Sequence, residues 1–353
     1  MNTENDIFMN DLQQIAEDKA IEWQEYSGKT ICVSGATGLI GKTLVQAVCY
    51  ANQKYHLKCK IIALVRNEKK AREIFAKEIA NQPDSISFII SDICDKVTVE
   101  DPVDYIFHCA SQTSSKSFVE QPVETTKTAL HGTENMLELA VEKKCSGFLY
   151  LSSMEVYGTP LTDEKIYENR ELNMSTTSVR NCYPIGKCMC ENLCVSYAAE
   201  YGVPAKIMRL TQTFGPGVDY NDGRVFAEFA RCVIEKKPIV LHTMGETKRN
   251  YLYTADAVRA MLIVMQKGEA QKAYNAANED TYISIYDMAL LVAEKCANGK
   301  IEVRRKVEQD ITKLGYAPVL KMNLSTERLQ ELGWKPYYDL EEMFSRTINT
   351  MKK

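Results

Sequence analysis

No stretch of this 353-residue chain approaches the roughly 20 consecutive apolar residues that a membrane helix needs, so no membrane partner is expected. No basic block stands out either: 43 Lys and Arg face 47 Asp and Glu, a net charge of −4, which argues against a nucleic-acid partner. The opening MNTENDIFMNDLQQ lacks the basic and apolar character of a secretory signal, and a cytoplasmic enzyme is the expectation. Cysteine is not scarce, at twelve, but the paired CxxC spacing of a zinc site is absent. Cys188, Cys190 and Cys194 share one predicted helix without a nearby histidine, so they are read as small, reduced packing residues and no metal is expected. Internal repeats and low-complexity linkers are also missing. What remains is an ordinary globular composition, 45% hydrophobic and 25% charged, on a chain long enough to bury a sizeable core.

Short apolar runs alternate with helical periodicity over the first two-thirds of the chain. Strands are predicted at Thr30–Ser34, Ile61–Val65, Ser87–Ile90, Tyr105–Cys109, Phe148–Leu151 and Ala205–Leu210. Helices are predicted at Leu39–Ala51, Glu68–Ile79, Val123–Lys143 and Tyr183–Tyr201. Repeated βαβ units imply an α/β, Rossmann-type doubly wound parallel sheet. After Thr213 the pattern loosens into a smaller, mixed α/β substrate-binding part. Helices at Val225–Glu235, Ala255–Met265, Ile285–Lys295 and Leu340–Met351 there alternate with short strands near Ile239–Leu241 and Tyr251–Tyr253. The expected organisation is a helical lead-in over 1–27, a dinucleotide-binding domain over 28–213 and a mainly substrate-binding region over 214–353. Phe8, Leu12 and Ile15 give the lead-in one apolar helical face, suited to packing on the body or on a second subunit.

The first strand runs into Ser34-Gly35-Ala36-Thr37-Gly38-Leu39-Ile40-Gly41. Glycines there permit a tight turn, close approach to a pyrophosphate, and close helix–strand packing at a helix N-terminus that attracts phosphate. A lone glycine triplet is weak evidence; its position in the first βα turn gives it weight. NAD or NADP is the expected cofactor. At the end of the second strand Leu64-Val65-Arg66-Asn67 carries no acid, which points toward NADP; stacking of Arg66 on adenine, or its simple exposure, is the alternative. Asp92 and Ile93 follow the third strand, in place to meet the adenine.

Tyr183 and Lys187, four apart in Tyr183-Pro184-Ile185-Gly186-Lys187, fall on one helical face. A neighbouring ammonium is expected to lower the tyrosine's titration point and fit it for proton exchange with a substrate hydroxyl as hydride moves. Ser153, at the end of the fifth strand in Ser152-Ser153-Met154-Glu155-Val156-Tyr157-Gly158, is placed to hold the reacting oxygen.

These residues resemble the extended short-chain dehydrogenases of the NAD-dependent epimerase/dehydratase family. The likeness runs from about Lys29 to the C-terminus. It includes His108-Cys109-Ala110-Ser111, Gly132-Thr133-Glu134-Asn135, Arg209-Leu210-Thr211-Gln212-Thr213-Phe214-Gly215-Pro216, Arg249-Asn250-Tyr251-Leu252-Tyr253 and Leu332-Gly333-Trp334-Lys335-Pro336. The resemblance implies catalytic roles for Ser153, Tyr183 and Lys187, and cofactor contacts by Cys109, Ala110 and Ser111. It implies substrate contacts by Ser114, Gln212 and Arg249, the last as a phosphate ligand suited by its forked guanidinium. It also implies a nucleotide-sugar substrate and a homodimer.

Sugar 4,6-dehydratases carry an Asp-Glu pair where this chain has Met154-Glu155, and methionine cannot donate a proton, so dehydration is disfavoured. Ser-Met-Glu-Val-Tyr-Gly is closer to UDP-glucuronate decarboxylases, as are Arg180-Asn181-Cys182-Tyr183 and Asp222-Gly223-Arg224-Val225. Gln212, Ala129 and the segment Leu320-Lys321-Met322-Asn323 depart from that branch. Epimerisation at C4 is therefore the first expectation, with decarboxylation and keto-sugar reduction as alternatives; Glu155 assists at a neighbouring carbon or only orients the tyrosine helix. A non-catalytic dinucleotide sensor is opposed by the presence of all three catalytic residues. A small-ketone reductase is opposed by Arg249 and the long C-terminal part.

Overall fold

The computed structural model describes residues 4–307 and 319–351. Residues 1–3 of the expected lead-in, and 308–318 and 352–353 of the expected substrate region, lie outside them.

Six strands arise where the apolar runs were read: β1 (Thr30–Ser34), β2 (Lys60–Val65), β3 (Ile86–Ile90), β4 (Tyr105–His108), β5 (Gly147–Ser153) and β6 (Ala205–Leu210). All pair in parallel, in the spatial order β3-β2-β1-β4-β5-β6, and a seventh strand, Ala273–Ala276, adds in parallel to β6. Every residue of β1 and β6 is buried, as expected for strands covered by helices on both faces. The order reverses between β1 and β4, the point beyond the carboxyl ends of the strands where a doubly wound sheet forms its ligand crevice. This is the doubly wound fold expected from the sequence.

The later residues build a second, small sheet on the strand Lys248–Tyr253. It pairs in parallel with Gln212–Phe214 and Lys321–Met322, and antiparallel with Asn278–Ser284. Val303–Arg305 and Ile239–Leu241 form a separate parallel pair.

Two expected helices differ in detail. The segment after β2 divides into Glu68–Ile74 and Ala76–Asn81, because Phe75 leaves helical geometry to bury its ring against Phe88 of β3 at 6.3 Å. The helix at Ile285–Leu291 widens into a π-turn over Val292–Cys296. The lead-in forms a helix, Glu4–Ala16, which buries Ile7, Leu12 and Ile15 against the helices Leu39–Tyr55, Thr254–Lys267 and Leu340–Thr350. All twelve cysteines are free; six are buried and six half-buried. Among the described residues no helix is long and apolar enough to cross a membrane.

Candidate active site

The glycine turn closes onto the tip of β4. Gly35 has φ +67°, and a Cβ on it would stand 2.7 Å from the Ala110 nitrogen and 2.8 Å from its Cα. A Cβ on Gly41 would stand 2.4 Å from the Gly35 carbonyl oxygen. No side chain fits at either position, so backbone approaches backbone there and the N-terminus of the Leu39–Tyr55 helix faces the crevice. Thr37, Leu39 and Ile40 are half-buried around it, and Gly38 is exposed.

A buried relay ties the two strand tips together. The Ser34 hydroxyl lies 2.6 Å from His108 Nδ1, His108 Nε2 lies 3.1 Å from the Thr133 hydroxyl, and the Ala110 N–H donates to Ser34 Oγ at 3.2 Å. Burial pushes His108 down to about 3, so it stays neutral and acts as a strut. Ile93 packs its side chain against Gly132. Arg66 and Asp92 are exposed at the tips of β2 and β3, Asp92 accepting from the Cys94 N–H at 2.9 Å. Cys109, Ala110 and Ser111 are half-buried at the crevice floor.

Ser153, Glu155, Tyr183 and Lys187 come together at the end of β5. Ser153 caps a short 3-10 turn, its hydroxyl accepting from the Glu155 N–H at 3.2 Å. Tyr183 opens the helix Cys182–Tyr201, and Lys187 follows one turn later. The Lys187 ammonium, 3% exposed, donates to the Leu151 carbonyl at 2.7 Å and sits 5.8 Å from the Tyr183 ring centre. Burial brings it down to about 8.

One expectation fails here. The phenol of Tyr183 is raised, not lowered: burial comes first, the Glu155 carboxylate adds to it, and Ser153, Arg180 and Arg224 oppose it. Lys187 does not offset this, because its ammonium is directed at the Leu151 carbonyl.

Glu155 is itself engaged. Both terminal nitrogens of Arg180 donate to its Oε2 at 3.2 Å. The Arg180 guanidinium also lies 4.9 Å from the Phe118 ring centre, and Phe118 stacks on Tyr183 at 4.3 Å with 10° between planes. Guanidinium, phenyl and phenol thus form one stack over the reacting position.

A second network supports β5 from behind. The Glu191 carboxylate accepts from Ser152 Oγ at 2.5 Å and from Arg209 Nη2 at 2.6 Å. Arg209 Nη1 donates to the Tyr157 hydroxyl and the Glu168 carbonyl, each at 2.9 Å, and Tyr157 donates to Asn275 on the seventh strand at 2.7 Å. The pair fixes the tyrosine helix to β6 and so sets the height of Tyr183 above the sheet.

Two of the three substrate candidates, Gln212 and Arg249, lie on the second sheet. Thr211 joins it to the chemistry, its hydroxyl donating to the Asn250 carbonyl at 2.6 Å while 3.3 Å from Met154 Sδ. Gln212 pairs with Tyr251 across the strands. Gln212 Oε1, Arg249 Nε, the Tyr251 hydroxyl and the Thr254 hydroxyl are buried without a hydrogen-bond partner. Ser114 is exposed at the start of the Ser115–Glu120 helix. Sequence reasoning did not single out Phe118, for which no motif exists. Nor did it assign roles to Arg180, Glu191 or Arg209, although Arg180 and Arg209 stand inside segments that it quoted. Among the described residues no cluster of three or more His, Cys, Asp or Glu is arranged to hold a metal.

A parallel sheet with a glycine turn after its first strand, and a serine, tyrosine and lysine gathered at its fifth, defines a dinucleotide-binding protein of the short-chain dehydrogenase type. The chain belongs to the NAD dependent epimerase/dehydratase family, whose model matches residues 31–277. It is similar to UDP-glucuronic acid decarboxylase 4 of Arabidopsis thaliana, 29% identical over 313 residues; the match covers 88% of this chain and 66% of that protein's length. Among solved structures it resembles UDP-glucose 4-epimerase with UDP-glucose from Thermotoga maritima, at TM-score 0.76 and 23% identity, covering 91% of this chain and 98% of the other. It also resembles a dTDP-glucose 4,6-dehydratase of Streptomyces venezuelae with NAD bound, at TM-score 0.75 and 20% identity, covering 91% and 96%. The cradle at Gly35 and Gly41, closed to any Cβ, fits the dinucleotide that the family is named for.

Proposed function

We propose that this protein acts on a sugar carried by a nucleotide, oxidising the C4 hydroxyl and returning hydride to the opposite face of the same carbon, the reaction of a 4-epimerase. The observation that carries this reading is the convergence of Ser153, Tyr183 and Lys187 at the end of β5, next to a glycine cradle that bears on Ala110. Bound nicotinamide supplies the hydride acceptor and donor. The remaining work falls to the chain. Tyr183 takes the C4 hydroxyl proton and later gives it back, and Ser153 holds the same oxygen in line. Lys187, its ammonium on the Leu151 carbonyl and 5.8 Å from the Tyr183 ring centre, holds the turn of helix that carries the phenol. Arg249 and Gln212, with their unpartnered buried atoms, receive the nucleotide end.

Glu155 is held by Arg180 through Oε2 alone, and a carboxylate paired in this way can orient the tyrosine helix without taking part in epimerisation. A second reading, loss of CO₂ from a nucleotide-linked uronic acid, is supported by the similarity to the Arabidopsis decarboxylase and by that same Glu155–Arg180 pair, which could then serve a carboxylate-bearing carbon. The test is an NMR product assay with NAD or NADP and a panel of UDP-, dTDP-, GDP- and CDP-sugars including UDP-glucuronate. An inverted C4 signal without net cofactor loss supports epimerisation, and a pentose product with CO₂ supports the second reading. Stoichiometric consumption of reduced cofactor would overturn both in favour of a reductase.

A further inference from the structure

Side chains alternate across β5. Leu149 and Leu151 enter the core on one face of the sheet, while Phe148 and Tyr150 enter the core on the other, which the helix Cys182–Tyr201 shares. Tyr150 is 1% exposed, and burial pushes its phenol well above 10, so the side chain stays neutral. Its hydroxyl is buried without a hydrogen-bond partner, and the Cys190 thiol close to it donates to the Ala129 carbonyl at 3.2 Å. A hydroxyl in that state costs stability, so the use of this side chain lies in its ring.

The ring packs beside His108, with centres 5.6 Å apart, and His108 is itself fixed by Ser34 and Thr133. The Lys187 ammonium lies over the Tyr150 ring, 4.7 Å from its centre and closer than the 5.8 Å to the centre of the Tyr183 ring. An ammonium has three N–H groups, and among the described residues it makes one hydrogen bond, to the Leu151 carbonyl. The other groups that face it offer little free negative charge. Burial keeps Cys109 at about 12 and Cys194 well above 9, so both thiols hold their protons, and His108 is neutral. Cys190 keeps its hydrogen on Ala129, and the Tyr183 phenol is raised. The Glu191 carboxylate is taken by Arg209 and Ser152. A buried cation with one carbonyl and no free anion is drawn to an electron-rich ring face.

We propose that Tyr150 is a positioning residue for the reaction: its ring face holds the Lys187 ammonium, keeping it charged and in place one helical turn from Tyr183. The contact stands apart from the proposed function, but its purpose in turnover rests on that reading. The ring favours the charged form of the lysine and so opposes the burial that brings Lys187 down to about 8. A weaker ring face lets Lys187 lose its proton at lower pH. With the ammonium as the working form, turnover then fails at lower pH as well.

The test compares the full-length wild type, Tyr150→Phe, and a protein with 3,4,5-trifluorophenylalanine at position 150, which keeps the ring's shape but strips negative charge from its face. The Lys187 Cε signal of ¹³C-lysine-labelled protein, assigned by its absence in Lys187→Met, is followed against pH without substrate. Tyr150→Phe should titrate as the wild type does, since it removes only an unpartnered hydroxyl. The fluorinated protein should titrate about 0.5–1.5 lower in pH, with thermal unfolding close to that of Tyr150→Phe. On a nucleotide sugar that the product assay shows to be turned over, its rate at about pH 8 should fall by about twofold or more, while the rate at lower pH is unchanged. A Lys187 titration that fluorination does not move, or a rate loss equal at every pH as altered packing would give, overturns the proposal and leaves the proposed function standing. If Lys187 titrates lower but no sugar is turned over even by the wild type, the proposed function falls and takes with it the role of Tyr150 in turnover.

Discussion

The two sides of the crevice are built differently. Behind β5 each nitrogen of the Arg209 guanidinium is engaged, with Glu191, Tyr157 and the Glu168 carbonyl as partners. On the facing strands, Gln212 Oε1, Arg249 Nε and the hydroxyls of Tyr251 and Thr254 are buried with nothing to bond. An unpartnered buried polar atom costs about 1–3 kcal/mol; the second side bears four of them, while the first side has the Tyr150 hydroxyl on β5 and Arg180 Nε. On the proposed function, the difference separates a largely satisfied frame from a surface that a ligand would complete. The frame has to place Tyr183 in advance, since pre-set geometry is what a proton-transfer residue contributes. On the same reading, the second sheet leaves its polar atoms for phosphate and sugar oxygens to meet.

The sharpest way to break this contrast is at the tyrosine. Tyr183→Phe removes the exchangeable proton and keeps the ring that stacks on Phe118. Turnover should fall by about 10³-fold, while the dinucleotide dissociation constant changes by less than about twofold. Near-normal turnover by this variant would remove Tyr183 from the mechanism.

The frame itself is tested by Arg209→Met. It leaves the Glu191 carboxylate buried, 7% exposed, without its cation. Urea denaturation should show a loss of about 3–5 kcal/mol, and Arg209→Met with Glu191→Gln should recover part of it because no unpaired charge remains. Equal losses in the single and double variants would mean that packing, not charge pairing, is what Arg209 contributes.

The binding strand should answer in the opposite way. Arg249→Ala removes a guanidinium whose Nε has no partner in the chain. Stability should hold or rise, by up to about 1–3 kcal/mol, as a buried unpartnered nitrogen is removed, while affinity for a nucleoside diphosphate such as UDP drops by about 10- to 100-fold in calorimetry. A large stability loss with unchanged UDP affinity would place Arg249 in the frame and erase the contrast.

The same division governs what could be read from the chain beforehand. Strands β1 to β6 were legible because each is a short buried run between helical periods, and the glycine turn and Tyr183–Lys187 because their chemistry fixes their spacing. The seventh strand was not, since Ala273-Tyr274-Asn275-Ala276 has no β-branched residue and gains its place by pairing with β6. The break at Phe75 depends on a ring contact with β3, and the Phe118 cover on a contact across 65 residues, neither of which leaves a periodic trace. Glu191 and Arg209 were legible only as charges within apolar elements; that they face each other across 18 residues is a tertiary fact. The expected drop in the Tyr183 titration point failed for a related reason. Spacing on a helix sets which face a lysine shares, but not the acceptor its ammonium finds, here the Leu151 carbonyl.

That carbonyl leads to the smallest effect. Lys187 falls from 10.5 to about 8 through burial, so the unfolded chain holds its proton more tightly than the folded one. Below about pH 8 the buried ammonium lowers stability by a constant amount. Between about pH 8 and 10.5 the folded lysine is already neutral and the unfolded one is not, so stability rises with pH across that window. Tyr183 acts in the other direction, but only above its ordinary value of 10, where the folded phenol keeps a proton that the unfolded chain releases. Subtracting the stability of Lys187→Met, which retains Tyr183, should cancel most of that opposing limb. The difference between wild type and variant is then expected to climb from pH 8 toward pH 10 in urea titrations. A flat difference would show that the ammonium is as well accommodated by Leu151 as by water, and that this lysine belongs to the satisfied frame in energy as well as in position.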